Sequence, residues 1–152
     1  MPCRFCPKAC ATGLNPGYCA HHQHSEHKMK QGIVLFGHGS RNPEWAVPFQ
    51  AIRQEIARQQ PDAMVELGFL ELMQPTLSDA IAKLAANGAD EVVIVPVFIS
   101  AGSHVREDLP RLAKEAMALQ PQLKVRVAPS LGEAPEIIAA MAQYAIQASL
   151  PA

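Results

Sequence analysis

The sequence predicts an α/β domain built on one four-stranded parallel sheet with helices on both faces. Short apolar runs of strand length at about 32–36, 64–70, 91–96 and 123–128 alternate with amphipathic stretches of helical length. The connections are short, and such alternation means parallel strands joined by crossover helices. The third run, Val92-Val93-Ile94-Val95, is the most apolar of the chain, as expected of a central strand covered on both sides. In flavodoxin-like order 2-1-3-4, strands 1 and 3 lie side by side, and ligands bind outside the strands' carboxyl ends at that switch of direction.

Each element has its own warrant. After the strand at 32–36, a helix over about 44–59 carries Phe49, Ile52 and Ile56 on one stripe, with Pro48 tolerable only near its start. After the second strand, Leu77, Ile81 and Leu84 mark a helix over about 76–87. Thr76 and Asp79 resemble a capping box at its head, and Asn87-Gly88 ends it. A polar loop follows strand 3. Pro110 then places the regular part of the next helix near or after Asp108, with Leu109, Leu112, Ala116 and Leu119 as its stripe and Glu107 and Asp108 against its dipole. The last helix, about 133–148, should bury Ile137, Met141, Tyr144 and Ala148.

The domain occupies 32–152. Residues 1–31 read as a separate extension with neither helical nor strand period. It holds all four cysteines (Cys3, Cys6, Cys10, Cys19) and a His tract at 21–27. In a reducing compartment such a cluster suggests metal rather than disulfides, and it could hold zinc or an iron–sulfur cluster. A net charge of −1 and 5% aromatic residues argue against nucleic acid as partner. No run approaches the ~20 apolar residues of a membrane span, and without a secretory signal the cytoplasm is the expected location.

Two histidines follow the ends of strands 1 and 3: His38 in Gly37-His38-Gly39-Ser40-Arg41, and His104 in Ser100-Ala101-Gly102-Ser103-His104. Small residues around each leave room for a ligand and expose amide donors. Glu71, near the end of strand 2, would join them. Two imidazoles and a carboxylate suit divalent first-row metals. A histidine phosphatase reading of His38 is weaker, because Gly37 stands where a phosphate-clamping Arg would be. A non-catalytic metal-binding or metallochaperone protein would use the same ligands.

These residues resemble the short class II tetrapyrrole metal chelatases, the sirohydrochlorin chelatases of CbiX or SirB type. The resemblance is carried by Leu-Phe-Gly-His-Gly-Ser-Arg at 35–41, by Phe69-Leu70-Glu71 with Pro75, and by the run from Val95 to Pro110. It implies insertion of Co²⁺ or Fe²⁺, with Ni²⁺ also acceptable to such ligands, into sirohydrochlorin on the way to cobalamin or sirohaem. No organic cofactor is implied. His38 matches the family's base and metal ligand, and His104 its second metal histidine. Glu71 matches an acidic residue that some members have and others lack. Ile99, Ser100, Ala101, Gly102, Ser103 and His104 match the segment that holds the macrocycle. Arg41 and Arg106 are candidates for its carboxylates. Short members imply a homodimer.

Overall fold

The structure, a computed structural model, describes residues 29–100 and 102–150, and within them all side chains but those of 103–105. Four strands, β1 (Gln31–Gly37), β2 (Met64–Phe69), β3 (Glu91–Pro96) and β4 (Lys124–Val127), form one parallel sheet in the order β2-β1-β3-β4. This is the predicted order, with β1 and β3 adjacent at its centre. Helices α1 (Val47–Gln59), α2 (Leu77–Ala86), α3 (Ser103–Leu119) and α4 (Pro135–Ala148) follow the strands in turn.

Strand alternation divides the core. Val34 and Phe36 of β1 and Val92 and Ile94 of β3 point to the side where Leu77, Ile81 and Leu84 of α2 and Leu109, Ala113 and Ala116 of α3 pack. Leu35 of β1 and Val65 and Leu67 of β2 point to the other side, where Phe49 of α1 packs. Alternate side chains leave opposite faces of a strand, so one apolar run serves two layers.

Local signals fixed several boundaries. The Thr76 hydroxyl accepts from the Asp79 amide while the Asp79 carboxylate accepts from the Thr76 amide, the reciprocal cap expected of that pair. Asn87 ends α2, and Gly88 beyond it takes φ +86°, a conformation glycine adopts without steric cost. A 3₁₀ turn over Pro43–Ala46 precedes α1, so the regular helix begins three residues later than the sequence suggests, with Pro48 in its first turn.

Two helices differ from expectation. α3 begins at Ser103, well before Asp108, and runs through Pro110. Its buried stripe is Leu109, Ala113 and Ala116, whereas Leu112 is half-buried and Leu119 is exposed. Packing of that stripe on β3 and β4 outweighs the one backbone hydrogen bond that proline removes. Glu107 and Asp108 therefore fall beyond the first turn, and Asp108 pairs instead with Arg111, at 3.0 Å. α4 buries none of its expected face: Ile137 is half-buried, while Met141, Tyr144 and Ala148 are exposed. Beyond Ile137, the described residues leave its apolar pattern uncovered. None of the described helices is long and apolar enough to cross a membrane.

Candidate metal centre

β1 ends at Gly37, and the loop that follows lies at the carboxyl edge of the sheet between β2 and β3. Pairing with β2 continues past the strands: the Leu70 amide donates to the Gly37 carbonyl (2.9 Å) and the Glu71 amide to the His38 carbonyl (3.0 Å). The chain then makes a short excursion and returns, the Phe69 amide donating to the Pro75 carbonyl at 3.0 Å. These bonds hold the backbones of His38 and Glu71 side by side.

Glycines make that approach possible. A Cβ at Gly39, which takes φ +93°, would collide with the Glu71 carbonyl oxygen. A Cβ at Gly37 would collide with the ring of Phe49. Phe49 in turn packs edge-on against Phe69, with centroids 5.5 Å apart. The site loop is thus clamped between α1 below and the end of β2 beside it. No arginine fits at Gly37, which removes the cation a histidine phosphatase would need there.

Two of the three expected ligands lie together. His38 Nε2 lies 3.6 Å from Glu71 Oε1, with both groups partly open to solvent. Ligands of one first-row ion, bonded at ~2.1 Å, stand roughly 3.0 Å apart when adjacent and up to about 4.2 Å when opposite, so this pair can share an ion. Both keep an open side, as a centre that must release its metal requires. Leu72, next to Glu71, takes φ +63° and leaves its side chain exposed. For a branched side chain that backbone is strained by about 1–2 kcal/mol.

The segment after β3 is anchored on the other flank. The Val97 amide donates to the Phe36 carbonyl (2.8 Å), Phe98 packs edge-on against Phe36 (6.0 Å between centroids), and the Gly132 amide donates to the Phe98 carbonyl (2.9 Å). Ile99 is left 76% exposed at the rim. Ser100 and Gly102 are exposed, and Gly102 caps α3. Ala101 and the side chains of Ser103 and His104 lie outside the description, so His104 is placed only by its backbone, in the first turn of α3. Among the described residues, no group of three or more His, Cys, Asp or Glu side chains could hold a metal. Arg41 is exposed beside His38 in the chain. Arg106 turns toward Glu133, at 3.6 Å, and lines a cleft of about 400 Å³ with Pro96, Leu109, Val127 and Ser130. The extension with Cys3, Cys6, Cys10 and Cys19 lies outside the described residues.

Sequence reasoning missed three features here. Glu133 gave no sign of its partner, because it reads as an ordinary acid at a helix start. The strain at Leu72 has no signature in residue type. The glycines flanking His38 were visible, but only the folded chain shows that Gly39 abuts Glu71.

Comparison with known proteins identifies the family and supports the fold. The CbiX family model matches residues 32–148. The sirohydrochlorin cobaltochelatase of Saccharolobus solfataricus is 36% identical over 107 residues, covering 66% of this chain and 82% of that protein. The sirohydrochlorin cobaltochelatase of Methanopyrus kandleri is 37% identical over 90 residues, covering 59% of this chain but only 60% of the relative. Among solved structures, a cobalamin-biosynthesis CbiX protein from Marinobacter aquaeolei superposes with TM-score 0.67 at 24% identity, covering 77% of this chain and 95% of the other. SirB from Bacillus subtilis, solved with Fe³⁺, gives TM-score 0.69 at 24% identity, covering 81% of this chain and 49% of its own. This chain therefore spans about half the length of SirB, and at such identity the two structures share a fold.

Proposed function

Because this chain belongs to the CbiX family, we propose that it inserts a divalent metal, Co²⁺ or Fe²⁺, into sirohydrochlorin. The observation that carries the reading is the His38–Glu71 pair, 3.6 Å apart at the carboxyl ends of the neighbouring strands β1 and β2. The names of the relatives and the bound Fe³⁺ of the SirB structure support the metal and the macrocycle.

Insertion exchanges two pyrrole protons for one M²⁺, so no electron changes hands and no redox partner is required. The ion must lose water, and the ring must lose its protons. His38 and Glu71 replace water on the ion while leaving positions open to the pyrrole nitrogens. His38 is also a proton acceptor: its single basic lone pair serves one task at a time, so it takes one pyrrole proton as the ion leaves it for the ring, and the second proton passes to the Glu71 carboxylate or to water. His104, carried on the first turn of α3, supplies the second imidazole. Exposed Leu72 and Ile99 stand on opposite flanks of the β1 end in strand order, which suits the apolar face of a flat ring. Exposed Arg41 and Arg106, with the amides of 99–104, would meet its carboxylates.

The chain works as a homodimer in the cytoplasm and serves cobalamin or sirohaem synthesis. Cys3, Cys6, Cys10 and Cys19 hold zinc or an iron–sulfur cluster, and the His tract buffers metal for the chelatase. Metal analysis of anaerobically purified protein tests that last point: a full complement lost on replacing Cys6 and Cys10 with serine supports it, and metal-free wild type ends it.

The function is tested by the absorbance of sirohydrochlorin mixed with each divalent ion under anaerobic conditions. Wild type should accelerate insertion of Co²⁺ or Fe²⁺, and His38→Ala should return the rate to the uncatalysed level while keeping the fold. Undiminished turnover in His38→Ala would remove the assigned base.

A further inference from the structure

We infer that the cleft between the start of α3 and the turn before α4 is a subsite for one carboxylate arm of the macrocycle, with Ser130 as its hydroxyl donor and Glu133 as a built-in competitor for Arg106. The inference rests on the function proposed above and names two residues that set its substrate specificity. The cleft opens at the carboxyl ends of β3 and β4, where Pro96, Leu109 and Val127 form apolar walls around about 400 Å³. Ser130, on its lining, is 6% exposed. The Ser130 hydroxyl caps no helix and hydrogen-bonds to no described residue. Among the described residues, no polar side-chain atom sealed from solvent lacks a partner, so this hydroxyl opens into the cleft. It is a donor that something entering the cleft must satisfy.

Arg106 supplies the charge. Its Nη2 faces Glu133 Oε1 at 3.6 Å, longer than a good hydrogen bond, and both side chains are about half open to water. An exposed pair of this kind is weak, so an incoming carboxylate can displace it. Glu133 also illustrates what the cleft accepts: a carboxylate on a short apolar stem. The acetate and propionate arms of a tetrapyrrole have that form, whereas a free phosphate brings no methylene groups for the walls. The position suits such an arm. The gap between β3 and β4 lies one and a half strand spacings, about 7 Å, from β1. A ring seated over the end of β1 sends its peripheral carboxylates about that far. A Cβ at Gly132 would collide with the Ile99 carbonyl oxygen, so the turn that carries Glu133 presses against the rim that presents Ile99.

The test is titration of sirohydrochlorin without metal into the full chain, then KM and kcat of cobalt insertion, for wild type, Ser130→Ala and Glu133→Gln. Ser130→Ala should raise Kd and KM about five- to tenfold at constant kcat. It should melt no lower than wild type, because the hydroxyl has no partner to lose. Glu133→Gln should lower Kd and KM about three- to fivefold by freeing Arg106. Methyl-esterified sirohydrochlorin, which has no carboxylate, should bind all three proteins alike. Unchanged constants in both variants overturn the inference. So does a loss in Ser130→Ala that the ester shares, which would mark a merely structural role. Inorganic phosphate bound by wild type and weakened in Ser130→Ala, with the macrocycle Kd unmoved, would make the cleft a free-anion site and also overturns it. Should Ser130→Ala fail to fold, Glu133→Gln, a surface change, decides alone: a KM that does not fall refutes the subsite. Wild type that binds the macrocycle without inserting metal would sink the proposed function alone, and insertion indifferent to both substitutions would sink this subsite alone.

Discussion

Replacing Gly39 with alanine should damage the metal centre more than any other single methyl group. Gly39 takes φ +93°, and a side chain confined to that region costs about 1–2 kcal/mol. The new carbon also meets the Glu71 carbonyl oxygen far inside the ~3.3 Å of an ordinary carbon–oxygen contact. Backbone must move by more than about 1 Å to relieve it, and the bond that resists is the Glu71 amide to the His38 carbonyl, 3.0 Å long. Loss of that bond adds about 1 kcal/mol, so the total is about 2–3 kcal/mol. In a domain of this size that lowers the melting temperature by roughly 10 °C. Because the displaced groups are the ones that carry His38 and Glu71, Co²⁺ affinity should fall by at least about tenfold even in protein still folded. Urea unfolding and cobalt titration of the folded variant read the two effects. A Gly39→Ala protein within 0.5 kcal/mol of wild type, with unchanged cobalt affinity, would refute the close approach of the two loops.

Other substitutions probe the frame around that site. Glu66 on the edge strand β2 is 8% exposed and forms an ion pair with Lys83 at 2.8 Å, with Arg53 at 3.9 Å. Its replacement by alanine should cost about 1–2 kcal/mol, toward the low end because both cations can rehydrate, as a urea midpoint will show. Leu72→Gly relieves the strain at φ +63°, so stability should hold or rise by up to about 1 kcal/mol while the KM for sirohydrochlorin increases; an unchanged KM would take Leu72 out of the macrocycle site. The Thr76 hydroxyl, and then its amide, hold the Asp79 carboxyl below the ordinary value of 3.8. That contribution to stability is present above pH ~3.8 and is lost as pH falls through the lowered value. Asp79→Asn should therefore show a smaller drop in melting temperature on acidification than wild type.

The strand order, the two-sided core and the cap of α2 were legible in the sequence because each depends on short-range pattern. Alternation of apolar runs dictates a parallel sheet. Four apolar residues in succession at Val92–Val95 demand cover on both faces, and Thr76 with Asp79 caps a helix wherever it occurs. The meeting of His38 and Glu71 followed from topology, since their strands are neighbours once the order is set. Tertiary structure alone decided three things. Pro110 sits inside α3 because packing of Leu109, Ala113 and Ala116 on the sheet exceeds the loss of one backbone bond. Gly39 matters because a distant carbonyl occupies the space its side chain would need. Periodicity marks α4 as half apolar, but it cannot say whose surface the apolar half meets. Local pattern records what a residue can tolerate, and only the folded chain determines what stands beside it.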